Sequence, residues 1–196
     1  MVNEDETKLS MDDAISKLED DDVEVRKIAV NSLEGVEDEF VIGPLIKALE
    51  DENSKVRFKA ADNLGNLGEK AVTGLIENIN SKTGEAKRFT LFALKQTKSE
   101  KAVDCFIESL DDEDWGVRKV AVRSLGELKA IRALDNIAEV LGDEDWGVRL
   151  AAIRSLGDLE VEEAIDPIKK ARRKEKDKDF KKAANKAIKK IEKAIK

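Results

Sequence analysis

Seven residues, DEDWGVR, occur at Asp112 to Arg118 and again at Asp143 to Arg149, thirty-one positions on, and the likeness extends well beyond them. The segments VEVRKIAVNSLEG, SKVRFKAADNLGNLG, WGVRKVAVRSLGEL and WGVRLAAIRSLGDL align without gaps on Val25, Val56, Val117 and Val148. A weaker copy, EAKRFTLFALKQ, falls on Ala86, and a last one, DFKKAANKAIKK, on Phe180, so the intervals are 31, 30, 31, 31 and 32 residues. A unit this short cannot bury its apolar face alone. Each unit must bury its apolar face against copies of itself, and neighbours alone meet.

The units are helical. Val117, Ala121 and Leu125, like Val148, Ala152 and Leu156, recur at i, i+4, i+8, the period of one helix face. A preceding helix is legible in VIGPLIKALE, AVDCFIESLD and ALDNIAEVLG, where Leu49, Leu110 and Leu141 are equivalent. Pro44 and Pro167 fall at its front, where a missing N–H donor costs nothing. Acidic turns such as Asp111 to Asp114 separate the two helices and supply caps for the second. Ser10 with Asp13 forms a capping box for the first unit. The Gly of SLGEL and SLGDL marks either the end of the second helix or a close contact near it.

Charged residues make up 40% of the chain, yet apolar residues stay evenly spread among them, which fits many amphipathic helices and not a disordered tail. With no histidine, the commonest general base and metal ligand are both missing, and most hydrolytic and metalloenzyme chemistry loses its usual equipment. Neither a catalytic residue, a metal ligand nor a cofactor site is expected. A calcium loop placed on Gly116 would put Trp115 and Val122 where oxygen ligands belong. The single cysteine, Cys105, lies among apolar residues and reads as a packing thiol in a reducing compartment. No stretch approaches the ~18 apolar residues of a membrane span, and the acidic start is unlike a signal or transit peptide. A cytoplasmic, monomeric protein is expected. Residues 1–8 read as a disordered lead and 9–196 as one repeat domain, with units at approximately 9–40, 41–70, 71–100, 101–131, 132–161 and 162–196.

The pattern A-V-x-P-L-I-x-x-L-x-D-x-D-x-x-V-R-x-x-A-x-x-x-L-G, nearly intact from Val41 to Gly65 and from Ala102 to Gly126, resembles HEAT repeats of the short, phycobilisome-lyase-like type. The resemblance implies an all-α fold, a right-handed α-α superhelix (a HEAT-like, armadillo-like solenoid) of about six two-helix repeats. It also implies a structural ladder between repeats, carried here by the turn aspartates Asp20, Asp51, Asp112 and Asp143 and by Arg26, Arg57, Arg118 and Arg149. Repeat three departs, with Ser81 and Lys87 at these places, and looser packing is expected there. Among relatives of this architecture are bilin lyases, DNA glycosylases and iron-dependent hydroxylases built on His-Glu pairs. The last are excluded by the absence of histidine.

If the second helices line the concave groove, as the resemblance implies, residues four apart on their non-core side face a partner. These are Phe58, Arg88 and Phe92, then Trp115, Lys119 and Arg123, then Trp146, Leu150 and Arg154, with Asp62 in the same row. The row is aromatic and basic although the protein is acidic overall. Equivalent indoles on stacked helices lie roughly 8 to 10 Å apart, close enough to flank one inserted group; alternatively, each covers a helix end. Residues 168–196 hold 14 Lys and Arg against 4 Asp and Glu, a net of +10, so the preceding 167 carry −17 of the total −7. That segment works as a solubilising terminal cap, its stripe being Ala184, Ile188, Ile191 and Ile195, or as a nucleic-acid patch. The function expected is a non-catalytic protein-interaction scaffold that takes an acidic or amphipathic segment of a protein or peptide partner. The alternatives are association with nucleic acid through the basic C-terminal helix and the Trp/Arg ladder, and a lyase-like enzyme accessory.

Overall fold

The computed structural model describes residues 8–79 and 81–196, so the expected disordered lead lies, apart from Lys8, outside the described residues. Two helices form per repeat. The first helices are α1 (Met11–Lys17), α3 (Ile42–Ala48), α5 (Glu69–Ile79), α7 (Val103–Glu108), α9 (Leu134–Glu139) and α11 (Ile165–Lys174). The second helices are α2 (Val23–Ser32), α4 (Ser54–Asn66), α6 (Gly84–Thr97), α8 (Trp115–Glu127), α10 (Trp146–Leu159) and α12 (Lys178–Ala194). Among the described residues there is no strand. The helices form two compact units of three repeats, divided between Ser99 and Glu100. In the first, α2, α4 and α6 pack in series and α1, α3 and α5 back them; in the second, α8, α10 and α12 pack in series, backed by α7, α9 and α11.

The heptapeptide explains how one repeat is started and joined to the next. Its third residue is the helix cap: Asp114 Oδ1 accepts from the Gly116 amide at 2.7 Å, and Asp145 Oδ1 from the Val148 amide at 2.9 Å. Asp22 and Asn53 cap α2 and α4 in the same way. Its first residue accepts the amide of that cap, Asp112 from Asp114 at 2.9 Å and Asp143 from Asp145 at 2.8 Å. Its last residue binds twice. Arg118 donates to the Asp112 and Glu113 carbonyls of its own turn at 2.8 and 3.1 Å, and to both carboxylate oxygens of Asp143 in the next repeat at 2.7 and 3.0 Å. Arg26 does the same with Asp20, Asp21 and Asp51. Both guanidinium groups are buried, and their acidic hydrogen-bond partners raise their pKa above the ordinary arginine value.

Where the repeat departs, a different carboxylate takes over. Ser81 supplies none, so Arg57 holds its own turn carbonyls and reaches Glu85 at the start of α6; its Nε is left buried without a partner. Arg149 likewise grips the Asp143 and Glu144 carbonyls and pairs with Glu175, at 3.5 Å, before the last helix.

The Gly of SLGEL and SLGDL lies inside its helix, so close contact is its role. A Cβ on Gly126 would sit 2.6 Å from the Ser155 Cα, and one on Gly157 2.8 Å from the Ala187 Cβ. These glycines let α8, α10 and α12 approach closely. The helix ends are set one turn later, by residues with left-handed backbone: Gly35, Gly68, Lys98, Lys129 and Glu160, one in each of the first five repeats. The core stripes are as the periodicity implies, with Val117, Ala121, Leu125, Val148, Ala152 and Leu156 fully buried and Cys105 buried among them. Of the terminal stripe, Ala184, Ile188 and Ile191 are buried, joined by Phe180 and Ala187, but Ile195 is exposed because it lies past the end of α12.

Candidate functional site

The expected groove residues fall into two sets. Phe58, Arg88 and Phe92 belong to the first unit, on α4 and α6. Phe58 is 52% exposed and its ring centroid lies 5.8 Å from that of half-buried Phe92, whose other neighbour is the Lys95 ammonium, 5.2 Å from the ring centroid. Charge on this face is internally matched: Asp62 lies 3.6 Å from Lys59, which also pairs with Glu34 at 2.9 Å. The face is aromatic without being basic.

The second unit differs. Trp115 and Trp146 are the first residues of α8 and α10, each placed there by the aspartate cap that precedes it, and they remain 48% and 42% exposed. Half of each indole therefore stays in water, which leaves apolar area available to a partner. The Lys119 ammonium stands 5.4 Å from the Trp115 ring centroid, a cation–π distance, and lies close to Gly147, where a Cβ would meet it at 3.4 Å. Arg123 is exposed and held by Glu127 at 3.4 Å.

Two open grooves run side by side on this face and share the α10 ridge of Trp146, Leu150 and Arg154. The groove between α8 and α10, about 320 Å³, has polar walls from Lys119, Arg123, Glu127 and Asp158. The groove between α10 and α12, about 630 Å³, is floored by Leu150, Ala183 and Ala187, with Trp146 on its wall and Lys182 and Lys186 on its rim. At one end it is closed by Lys190, which pairs with Asp158 at 2.7 Å and Glu160 at 3.3 Å. Those carboxylates, Asp158 before Glu160, raise the Lys190 pKa, while Lys129 and then Lys190 hold the Glu160 carboxyl below its ordinary value.

Lys182 and Lys186 are groove residues that reasoning from the sequence did not include among the candidates. The signal was present, because aligning Phe180 with Val148 puts Lys182 opposite Leu150 and Lys186 opposite Arg154. The sequence reads the segment as the last repeat but gives it the role of a terminal cap or nucleic-acid patch, which does not continue the groove row along it. Among the described residues, Arg154, Lys182 and Lys186 have no carboxylate partner. Most cations of the preceding repeats, from Arg26 and Lys47 to Lys129 and Arg132, do have one. Chemically the face offers indole, aliphatic floor and uncompensated positive charge, a set suited to recognising an anion that carries an apolar group.

A protein-family model described as HEAT repeats matches residues 11–88, 72–139 and 119–189. A search of the curated proteins returns no match. Among solved structures, a chain from the complex of CpcE and CpcF of phycocyanin lyase from Nostoc sp. PCC7120 is 23% identical over 76% of this chain and 99% of its own, with a TM-score of 0.71. A designed armadillo repeat protein in complex with the peptide (KR)4 is 16% identical over 93% of this chain and 100% of its own, at 0.61. Human deoxyhypusine hydroxylase is 16% identical over 93% of this chain and 84% of its own, at 0.55. At these identities the likeness is one of fold.

Proposed function

The chain belongs to the HEAT-repeat family, and from that premise we propose that it is a non-catalytic interaction module whose second-helix face in repeats four to six binds an acidic, apolar-anchored segment of a protein partner. The observation that carries the reading is half-exposed Trp146 beside Arg154, Lys182 and Lys186, which have no carboxylate partner among the described residues. Exposed aromatic and arginine residues on one face are the usual source of binding energy, and solenoids bind through the surface their stacked helices present. These groups recognise ligands and do not transform them. The Nostoc chain comes from a complex of two proteins and the designed armadillo protein from a peptide complex, which agrees with a binding role for this architecture. In the designed protein the peptide is basic; here the face is basic and the complementary segment is acidic.

Nucleic-acid association draws on the same unpaired cations and is separated by experiment. A pull-down from native extract, with and without nuclease, is run on wild type and Trp146→Ala in parallel. A protein retained by wild type after nuclease treatment, and lost with Trp146→Ala while helix content by circular dichroism is unchanged, supports the reading. Binding that vanishes with nuclease assigns the face to nucleic acid, and retention by both proteins removes the face from the binding site. Trp146→Ala is expected to weaken the interaction by ~1 to 4 kcal/mol, the range for an anchoring aromatic.

A further inference from the structure

The two grooves on this face are chemically unlike, and their spacing restricts what fits both at once. The α10–α12 groove has an apolar floor of Leu150, Ala183 and Ala187 against the Trp146 indole. The α8–α10 groove shares Leu150 and adds Ala151, but it is the more polar of the two, and its cations Lys119, Arg123 and Arg154 outnumber its anions Glu127 and Asp158. The ridge between them is one helix wide. Because Gly126 and Gly157 bring α8, α10 and α12 into backbone contact, the grooves are separated by about the 8 to 10 Å of closely packed helices.

Resting on the binding role proposed above, we propose that this face reads one apolar side chain and one carboxylate set three residues apart in an extended, polyproline-II-like partner segment. The apolar side chain enters the α10–α12 groove beside Trp146, and the carboxylate meets Arg154 and Arg123 across the ridge. A polyproline II chain has three residues per turn and rises ~3.1 Å per residue, so residues i and i+3 share a side about 9.3 Å apart. A β-strand puts i and i+3 on opposite sides and its same-side neighbours only about 7 Å apart. An α-helix places i and i+4 about 6 Å apart along its axis and needs i+7, about 10.5 Å, to span the ridge. Charge selects the partner's sign. Among the described residues Arg154, Lys182 and Lys186 have no carboxylate partner, whereas Lys190 at the groove's end is already paired with Asp158 and Glu160, so these three cations cluster beside the apolar slot.

The test uses the full chain carrying Trp115→Phe, which leaves Trp146 as its only tryptophan. Indole fluorescence is titrated with acetylated, amidated Ser/Pro peptides bearing one Phe and one Glu, in either order, with one, two, three or six residues between them. Controls replace Phe by Ser or Glu by Gln, and single-stranded oligothymidine forms a separate arm. The expected result is tightest binding with two intervening residues, at least fivefold over the other spacings. Ala183→Phe, which fills the slot, should abolish the preference for Phe over Ser but keep that for Glu over Gln. Arg154→Gln should do the reverse. Circular dichroism verifies that both variants are folded. Equal binding at every spacing, or a preference for six intervening residues, overturns the extended two-point reading and leaves the acidic-partner role standing. Binding of oligothymidine with no response to any peptide overturns both.

Discussion

At the level of single residues, the repeat tolerates strain at one recurring place and uses buried charge at another. Lys98, Lys129 and Glu160 carry positive φ where Gly35 and Gly68 do so in the first two repeats. A side chain in this conformation costs about 1 kcal/mol relative to glycine. Lys98 ends α6 with φ of 56°, and it has no ion-pair partner among the described residues. Lys98→Gly should therefore raise unfolding free energy by ~0.5 to 1 kcal/mol in a urea titration; an unchanged midpoint would show that the strain is relieved elsewhere. The Arg118–Asp143 pair is the second case. Burial opposes the charge on Asp143, but hydrogen bonds from Arg118 and the Asp145 amide, with the fields of Arg118 and Arg149, hold its carboxyl below the ordinary aspartate value. A depressed folded pKa contributes stability above the unfolded value, about 3.9, and that contribution is lost as pH falls through the folded one. Arg118→Gln should cost about 3 kcal/mol at pH 7, since it leaves a buried carboxylate uncompensated, and the gap to wild type should narrow as the pH is lowered from 4 to 2.

At the level of elements, the closeness of the second helices rests on glycines whose roles differ. Gly126 faces the Ser155 backbone, so Gly126→Ala forces α8 and α10 apart and should destabilise by ~2 kcal/mol despite alanine's better helix propensity. Gly74 in α5 meets only the ends of Ile46 and Ile42, at 3.2 and 3.3 Å. Gly74→Ala should fall within about 1 kcal/mol of wild type, its propensity gain offsetting a small shift of those side chains. Thermal melts of the two variants test the contrast, and similar losses in both would mean that helix contact does not depend on Gly126. The same elements mark the limit of sequence reading. Helix identity, order and buried faces were legible because Val117, Ala121, Leu125 and their equivalents repeat without gaps. The glycine's role was not, because SLGEL fits both a helix end and a helix crossing; only the neighbour's backbone decides. Ile195 was misplaced for a related reason: periodicity continues past the point where α12 ends and its last carbonyls face solvent. Of the candidate face, Trp115 and Trp146 could be read from the duplicated heptapeptide, and Arg154 from the row of residues four apart that starts at Trp146. Lys182 and Lys186 required seeing that the basic end continues the same row.

At the level of the whole molecule, charge is sorted by position. The last 29 residues carry +10 and the rest −17, and Arg154, Lys182 and Lys186, without a carboxylate partner among the described residues, line one groove of the second unit. An acidic ligand is attracted there at short range while the chain as a whole repels it, so raising salt from 50 to 500 mM should weaken a bound acidic peptide only a few-fold. A nucleic acid neutralised by the same lysines should lose orders of magnitude over that range. Affinity measured across the series distinguishes them. The arginine contacts between repeats have a consequence for how such a chain changes length. Arg26 and Arg118 each reach an aspartate 25 positions ahead, and Arg57 and Arg149 find glutamates 28 and 26 ahead. A duplication of residues 119–149 placed after Arg149 would present that arginine with a new copy of Asp143, again 25 positions on, and would pass the old junction to Glu175 unchanged. An insertion that is not a whole number of repeats would move the junction arginine out of this register with its carboxylate. Recombination within this gene can therefore lengthen or shorten the protein in whole repeats at little cost, and the intact copy DEDWGVR is what such an event would leave behind.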